Sequence, residues 1–248
     1  MINYLYPDKH EILNIVLSDI YYKNYNTLDY INGSSSEKKT TPRILQKLPQ
    51  NLSETWLDVG IELDQEYNEQ DALLQINEVF EYIWKNDSFS VGIYVDILVK
   101  SIHLLKTKHE DNDISFSDPN LPYTIFINLP NIHLKNWLER TVENVIHEAM
   151  HLQLSLLERK YNFYTLTDSK IYSPWKHEPR NNKGILHAVY VFSHLKSFWG
   201  KVYIANQTIF AKHRIDDIQE QLNLLNFDQL SDFYTKAGKD ILKFCLKP

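Results

Sequence analysis

The sequence predicts a mixed α+β fold, mostly helical, in which a small twisted sheet flanks a buried helix bearing His-Glu-x-x-His. Three observations predict it. Several stretches place apolar residues at helical spacing. The run Tyr123 to Asn128 (Tyr-Thr-Ile-Phe-Ile-Asn) has the β-branched and aromatic content of a strand, and Leu129-Pro130 ends it. Soon after comes Glu143-Asn-Val-Ile-His147-Glu148-Ala-Met-His151, inside a span from Leu134 to Lys160 that is apolar nearly all round. A helix of that kind is buried, so His147, Glu148 and His151 must be paired, metal-bound or facing a cavity.

The elements follow in order. Asp8 to Tyr22 carries Ile12, Leu13, Val16, Leu17, Ile20 and Tyr21 at helical spacing behind Pro7. Ile31 to Pro42 is a polar, turn-rich loop. Leu52 to Glu66 and Asp71 to Lys85 read as two further helices, the second with Leu73, Leu74, Ile76, Val79, Phe80 and Ile83 on one stripe. Val91 to Leu105 is rich in Val, Ile and Leu and reads as a strand. Helix is the alternative there, since Val95, Leu98, Val99 and Ile102 also suit that period. A charged loop, Lys106 to Asp113, leads to a short pairing segment at Ser115 to Ser117 and then to the Tyr123–Asn128 strand. Beyond the His-Glu-x-x-His helix lie a Tyr-rich loop, Tyr161 to Tyr172, and a second apolar helix, Lys183 to Lys212. Asp216 to Leu246 forms one or two amphipathic helices. The whole reads as a single domain over 1–248: a helical N-terminal part (1–88), a metal-site core (89–212) and C-terminal helices (213–248). A strand followed by a buried His-Glu-x-x-His helix is the order of a zincin-like scaffold. There the strand lies beside the site and can take on an extended peptide at the sheet edge.

Composition narrows the function. Hydrophobic residues make up 43% of 248, which is globular rather than disordered. A formal charge of −6 argues against a nucleic-acid partner bound through its phosphates. Cys245 is the single cysteine, so no intramolecular disulfide forms; it reads as a C-terminal packing residue. The N-terminus lacks the basic, apolar and small-residue order of a secretory signal. No stretch approaches the 18 or so apolar residues of a membrane span, so the expectation is a cytoplasmic protein without membrane contact.

The spacing carries the chemistry. At 3.6 residues per turn, His147 and His151 leave nearly the same helix face one turn apart, and two imidazoles so placed can bind one metal ion. Glu148, about 100° round the helix from His147, can lean toward a metal-bound ligand without being one. A catalytic metal takes three protein ligands and keeps an open position. Downstream candidates for the third are His177, His187, His194 and His213, with Asp168 and Glu178 as carboxylate options. His187 lies early in the second apolar helix, nearer a site mouth, and is favoured over His194, which shares its face. For His194 the plainer reading is a hydrogen-bonded core histidine. Arg180, in Pro174-Trp175-Lys176-His177-Glu178-Pro179-Arg180, suits bidentate capture of a carboxylate.

These residues together carry a resemblance. Ser115-x-Ser117, the strand Ile125 to Asn128, Glu143-x-x-x-His147-Glu148-x-x-His151, Pro174-Trp175 with Arg180, and Gly184-x-Leu186-His187-x-x-Tyr190 form the pattern. It resembles the HExxH-motif proteins of peptide natural-product gene clusters, regarded as iron(II)- and 2-oxoglutarate-dependent peptide β-hydroxylases. The likeness covers roughly Val91 to Phe210. Two positions depart from it: similar sequences read Arg-Pro after the Trp, whereas Pro179 precedes Arg180, and Ala188 stands where glycine is common. The resemblance implies a three-imidazole iron(II) site of His147, His151 and His187, with 2-oxoglutarate bound through Arg180 and beside Tyr190. Glu148 would act from outside the ligand set. The implied substrate is a peptide, a ribosomally made precursor among the candidates. The rival reading is a zinc metallopeptidase on the same three His, with Glu148 as general base.

Overall fold

The computed structural model describes Ile12, Arg43–Ile44 and residues 62–246, except 65, 110–111, 119–122 and 166–169. The helix expected over 8–22 (Ile12 apart, which is helical), the loop over 31–42 and most of the helix over 52–66 lie outside the described residues. The chain is mixed α and β, mostly helical with small sheets, and divides into two compact units. One is Leu13–Leu152; the other joins Met1–Ile12 to Gln153–Pro248.

In the Leu13–Leu152 unit, helix α1 (Glu69–Asp87) starts where Asn68 caps it, accepting from the amides of Gln70 and Asp71. Glu69 and Asp71 add negative charge at the positive end of the helix dipole. Ala72, Ile76, Val79 and Ile83 bury its inner stripe. Val91 to Leu105 is not one strand. It is helix α2 (Val91–Leu98) followed by strand β2 (Ser101–Leu104). Val91, Tyr94, Val95 and Leu98 lie on one buried helical face, so the 3.6-residue period won over β propensity. The end of the expected 52–66 helix also differs: Leu63 bridges Leu105 in extended conformation.

The sheet of this unit comprises β1 (Arg43–Ile44), β2, β3 (Ser115–Ser117) and β4 (Thr124–Ile127), in the order β1-β2-β4-β3. β2 runs parallel to β1 and β4, and β3 closes the edge antiparallel to β4. Register aligns His103, Phe126 and Phe116 across three strands, and their rings stack at 4.9 and 4.3 Å. Side chains alternate along a strand, so Ser115 and Ser117 share the opposite face with Ile125, Ile127, Ile102 and Leu104. The His-Glu-x-x-His helix, α3, spans Trp137–Lys160 and begins three residues later than expected.

In the other unit, β5 (Lys170–Ser173) and β6 (Glu178–Asn181) form a hairpin within a stretch expected to be loop. The second apolar helix is two helices, α4 (Asn182–Asn206) and α5 (Ile209–Asn223). Gln207 breaks them, with left-handed backbone at φ 51, and Thr208 caps the next by accepting from the Ala211 amide. A short helix α6 (Phe227–Leu230), a 3-10 turn (Ser231–Phe233) and α7 (Lys236–Cys245) complete the chain. Cys245 is buried on α7. Among the described residues no helix is long and apolar enough to cross a membrane.

Candidate functional site

α3 presents His147 and His151 one turn apart, and their Nε2 atoms lie 3.1 Å from each other. Two imidazoles on one ion at bonds of roughly 2.1 Å would stand about 3.0 Å apart at a right angle and about 3.4 Å apart at a tetrahedral angle. The observed separation falls between these values. It is also the length of an N–H···N bond, with one neutral ring donating to the other. The pair therefore fits one edge of a metal's coordination shell. Among the described residues no group of three or more His, Cys, Asp or Glu side chains is gathered to hold an ion.

Glu148 is 2% exposed, and Ser115 and Ser117 of β3 each donate a hydroxyl to one of its oxygens, at 2.7 and 2.8 Å. The strand's two-residue period sets these two hydroxyls side by side, and the helix period turns Glu148 toward them. Burial raises the Glu148 carboxyl to about 7, partly opposed by the two serine bonds. One Glu148 oxygen stands 4.0 Å from His147 Nε2. A cavity of ≈ 530 Å³ in the same unit is lined by Asp64, Asp71, Leu74, Glu78, Asn128 and Ile132 among others, and none of His147, Glu148 and His151 borders it.

In the other unit, His187 on α4 is buried with Nε2 2.8 Å from Glu158 Oε1. Lys183 Nζ reaches Glu158 Oε2 at 2.7 Å, and the Tyr164 hydroxyl donates to Oε1. Burial would raise Glu158, but the bond and charge of His187, with the bonds from Lys183 and Tyr164, pull it down to about 2. Glu158 was not among the sequence candidates. The available signal was its place two turns beyond His151 on the same helix, facing the same way. Tyr190 is fully buried and donates its hydroxyl to Gln153 Oε1 at 2.7 Å. His194 is buried with Nδ1 2.8 Å from the Tyr190 carbonyl, which makes it a hydrogen-bonded core histidine. Arg180 sits on exposed β6 with Nε 2.9 Å from Glu178 Oε1.

His177 is in the hairpin turn at φ 54 with Nδ1 3.2 Å from the Tyr172 hydroxyl, His213 is exposed on α5, and Asp168 falls outside the described residues. The structure thus brings together His147, Glu148 and His151 with Ser115 and Ser117 in one unit, and His187 with Glu158, Lys183 and Tyr164 in the other. Compared with models of known protein families the chain matches none, and a search of curated proteins finds no match either.

Proposed function

We propose that the chain is an iron(II)- and 2-oxoglutarate-dependent enzyme that hydroxylates the β-carbon of a residue in a peptide. The observation that carries this reading is the clasp on Glu148, whose two oxygens each accept a serine hydroxyl. A carboxylate held at both oxygens suits a residue that orients its neighbours, as the hydrogen-bonding partners of metal-ligating imidazoles do. His147 and His151 would hold the ion through Nε2, and His187 would supply the third imidazole. Arg180 would hold the distal carboxylate of 2-oxoglutarate, exchanging its Glu178 partner for it. Tyr190, its hydroxyl committed to Gln153, would act on the cofactor only by packing. Bound iron and 2-oxoglutarate would together supply the oxidising chemistry that activates oxygen for C–H hydroxylation.

The finer, zincin-like reading of the fold belongs here too. β3 is the antiparallel edge of its sheet and is bonded through Ser115 and Ser117 to Glu148 of the His-Glu-x-x-His helix, so an extended peptide would add to it. One observation favours a second reading, a zinc metallopeptidase. A Glu148 carboxyl raised to about 7 is near the operating pH that a general base needs.

Anaerobic addition of iron(II) and 2-oxoglutarate to the purified chain separates the two. The hydroxylase gives a visible charge-transfer band; air and a mixed peptide library then release succinate, with one oxygen atom gained on the modified peptides. Peptide cleavage with zinc alone and without oxygen, and no band with iron, would overturn the proposal.

A further inference from the structure

We propose that Asn144 is a substrate-binding residue of this site, donating its amide N–H to a carboxylate or carbonyl oxygen of the molecule seated over His147 and His151. The inference rests on the reading that those two imidazoles hold an ion. Asn144 stands three residues before His147 and seven before His151 on α3, so the three share a helix face. A side chain in a helix leans toward the helix N-terminus, which lays the His147 ring over the turn that contains Asn144.

The Asn144 amide nitrogen is buried, yet among the described residues it has no hydrogen-bond partner. Rotating the amide by half a turn would only put its oxygen into the same partnerless place. Buried polar groups in native proteins are nearly all satisfied, and an unmet donor weakens the fold that carries it. A donor held unmet beside two convergent imidazoles has the placement of a group reserved for a ligand. It is uncharged, so it adds a donor next to Glu148 without altering the charge of the metal pair. The acceptor class follows from the donor: an oxygen bearing a lone pair, as in an organic acid or a peptide carbonyl.

The test uses the full chain loaded with cobalt(II) or iron(II) without oxygen, in wild-type, Asn144→Leu and Asn144→Asp forms. Affinity is measured for 2-oxoglutarate and for acetohydroxamate, a metal-chelating carbonyl ligand, and thermal midpoints are taken on the metal-free proteins. Asn144→Leu is expected to bind 2-oxoglutarate roughly tenfold more weakly, with unchanged metal content and a midpoint equal to or above wild type. Asn144→Asp, which sets a carboxylate against a carboxylate, weakens it further. Loss confined to 2-oxoglutarate assigns the acceptor to the acid, and loss with both ligands assigns it to the chelating oxygen. Affinities within twofold of wild type for both ligands, or a midpoint lowered in Asn144→Leu, overturn the inference. A wild type that takes up metal but not 2-oxoglutarate removes the hydroxylase reading and leaves Asn144 judged on acetohydroxamate; a wild type that takes up no metal removes both.

Discussion

Glu148 concentrates the chemistry of the Leu13–Leu152 unit at the scale of one residue. Its carboxyl titrates near 4.5 when unfolded and at about 7 when folded. The folded chain therefore keeps a proton that the unfolded chain releases between those values. The stability tied to this group is complete below pH 4.5 and is lost as pH rises through 7, by up to about 3 kcal/mol. Glu148→Gln has no such proton to lose. Urea unfolding of the metal-free proteins, stepped from pH 4 to 8, should show wild type losing ground against Glu148→Gln up to pH 7 and holding level above it. Parallel stability curves would mean that the carboxyl ionises in the folded chain as it does in the unfolded one. The sequence made His147, Glu148 and His151 legible because helix periodicity is local, three and four residues apart. The Ser115 and Ser117 bonds span 33 and 31 residues, and the Glu158–His187 bond spans 29. Spacing says nothing about pairs that only the tertiary fold creates.

Elements were legible where one period dominated. The Tyr123–Asn128 strand and the His-Glu-x-x-His helix lie close to where apolar patterning puts them. Val91 to Leu105 carries both periods, and its first half is helical because Val91, Tyr94, Val95 and Leu98 share one buried face. The break at Gln207 carries no glycine or proline to mark it, so the long apolar run hid two helices. Glycines within helices show how much element packing escapes pattern reading. A Cβ on Gly200 of α4 would meet nothing within 4 Å, whereas one on Gly238 of α7 would meet the Phe163 carbonyl oxygen at 2.3 Å and Tyr234 Cβ at 2.9 Å. Gly200→Ala should thus stabilise the chain by about 0.5–1 kcal/mol through helix propensity. Gly238→Ala should destabilise it by about 1–3 kcal/mol, because backbone must move to admit the methyl. Chemical denaturation of both variants checks the opposite signs.

At the scale of the whole molecule, the boundary between the two units falls inside α3, between Leu152 and Gln153. His147 and His151 belong to the Leu13–Leu152 unit and His187 to the other. A ligand that binds only the folded chain raises its stability by about 4 kcal/mol at a thousand times its dissociation constant. For a chain of this size that corresponds to a rise in thermal midpoint of roughly 8–16 °C. Titration with anaerobic iron(II) or zinc should give such a rise in wild type and none in His151→Ala, which removes half of the imidazole edge. His187→Ala then decides where the third ligand comes from. A vanished rise keeps His187 in the ligand set. A rise that survives leaves the ion on the edge formed by α3 and removes His187 from the ligand set, and with it falls the assignment of His147, His151 and His187 as the three imidazoles of the proposed site.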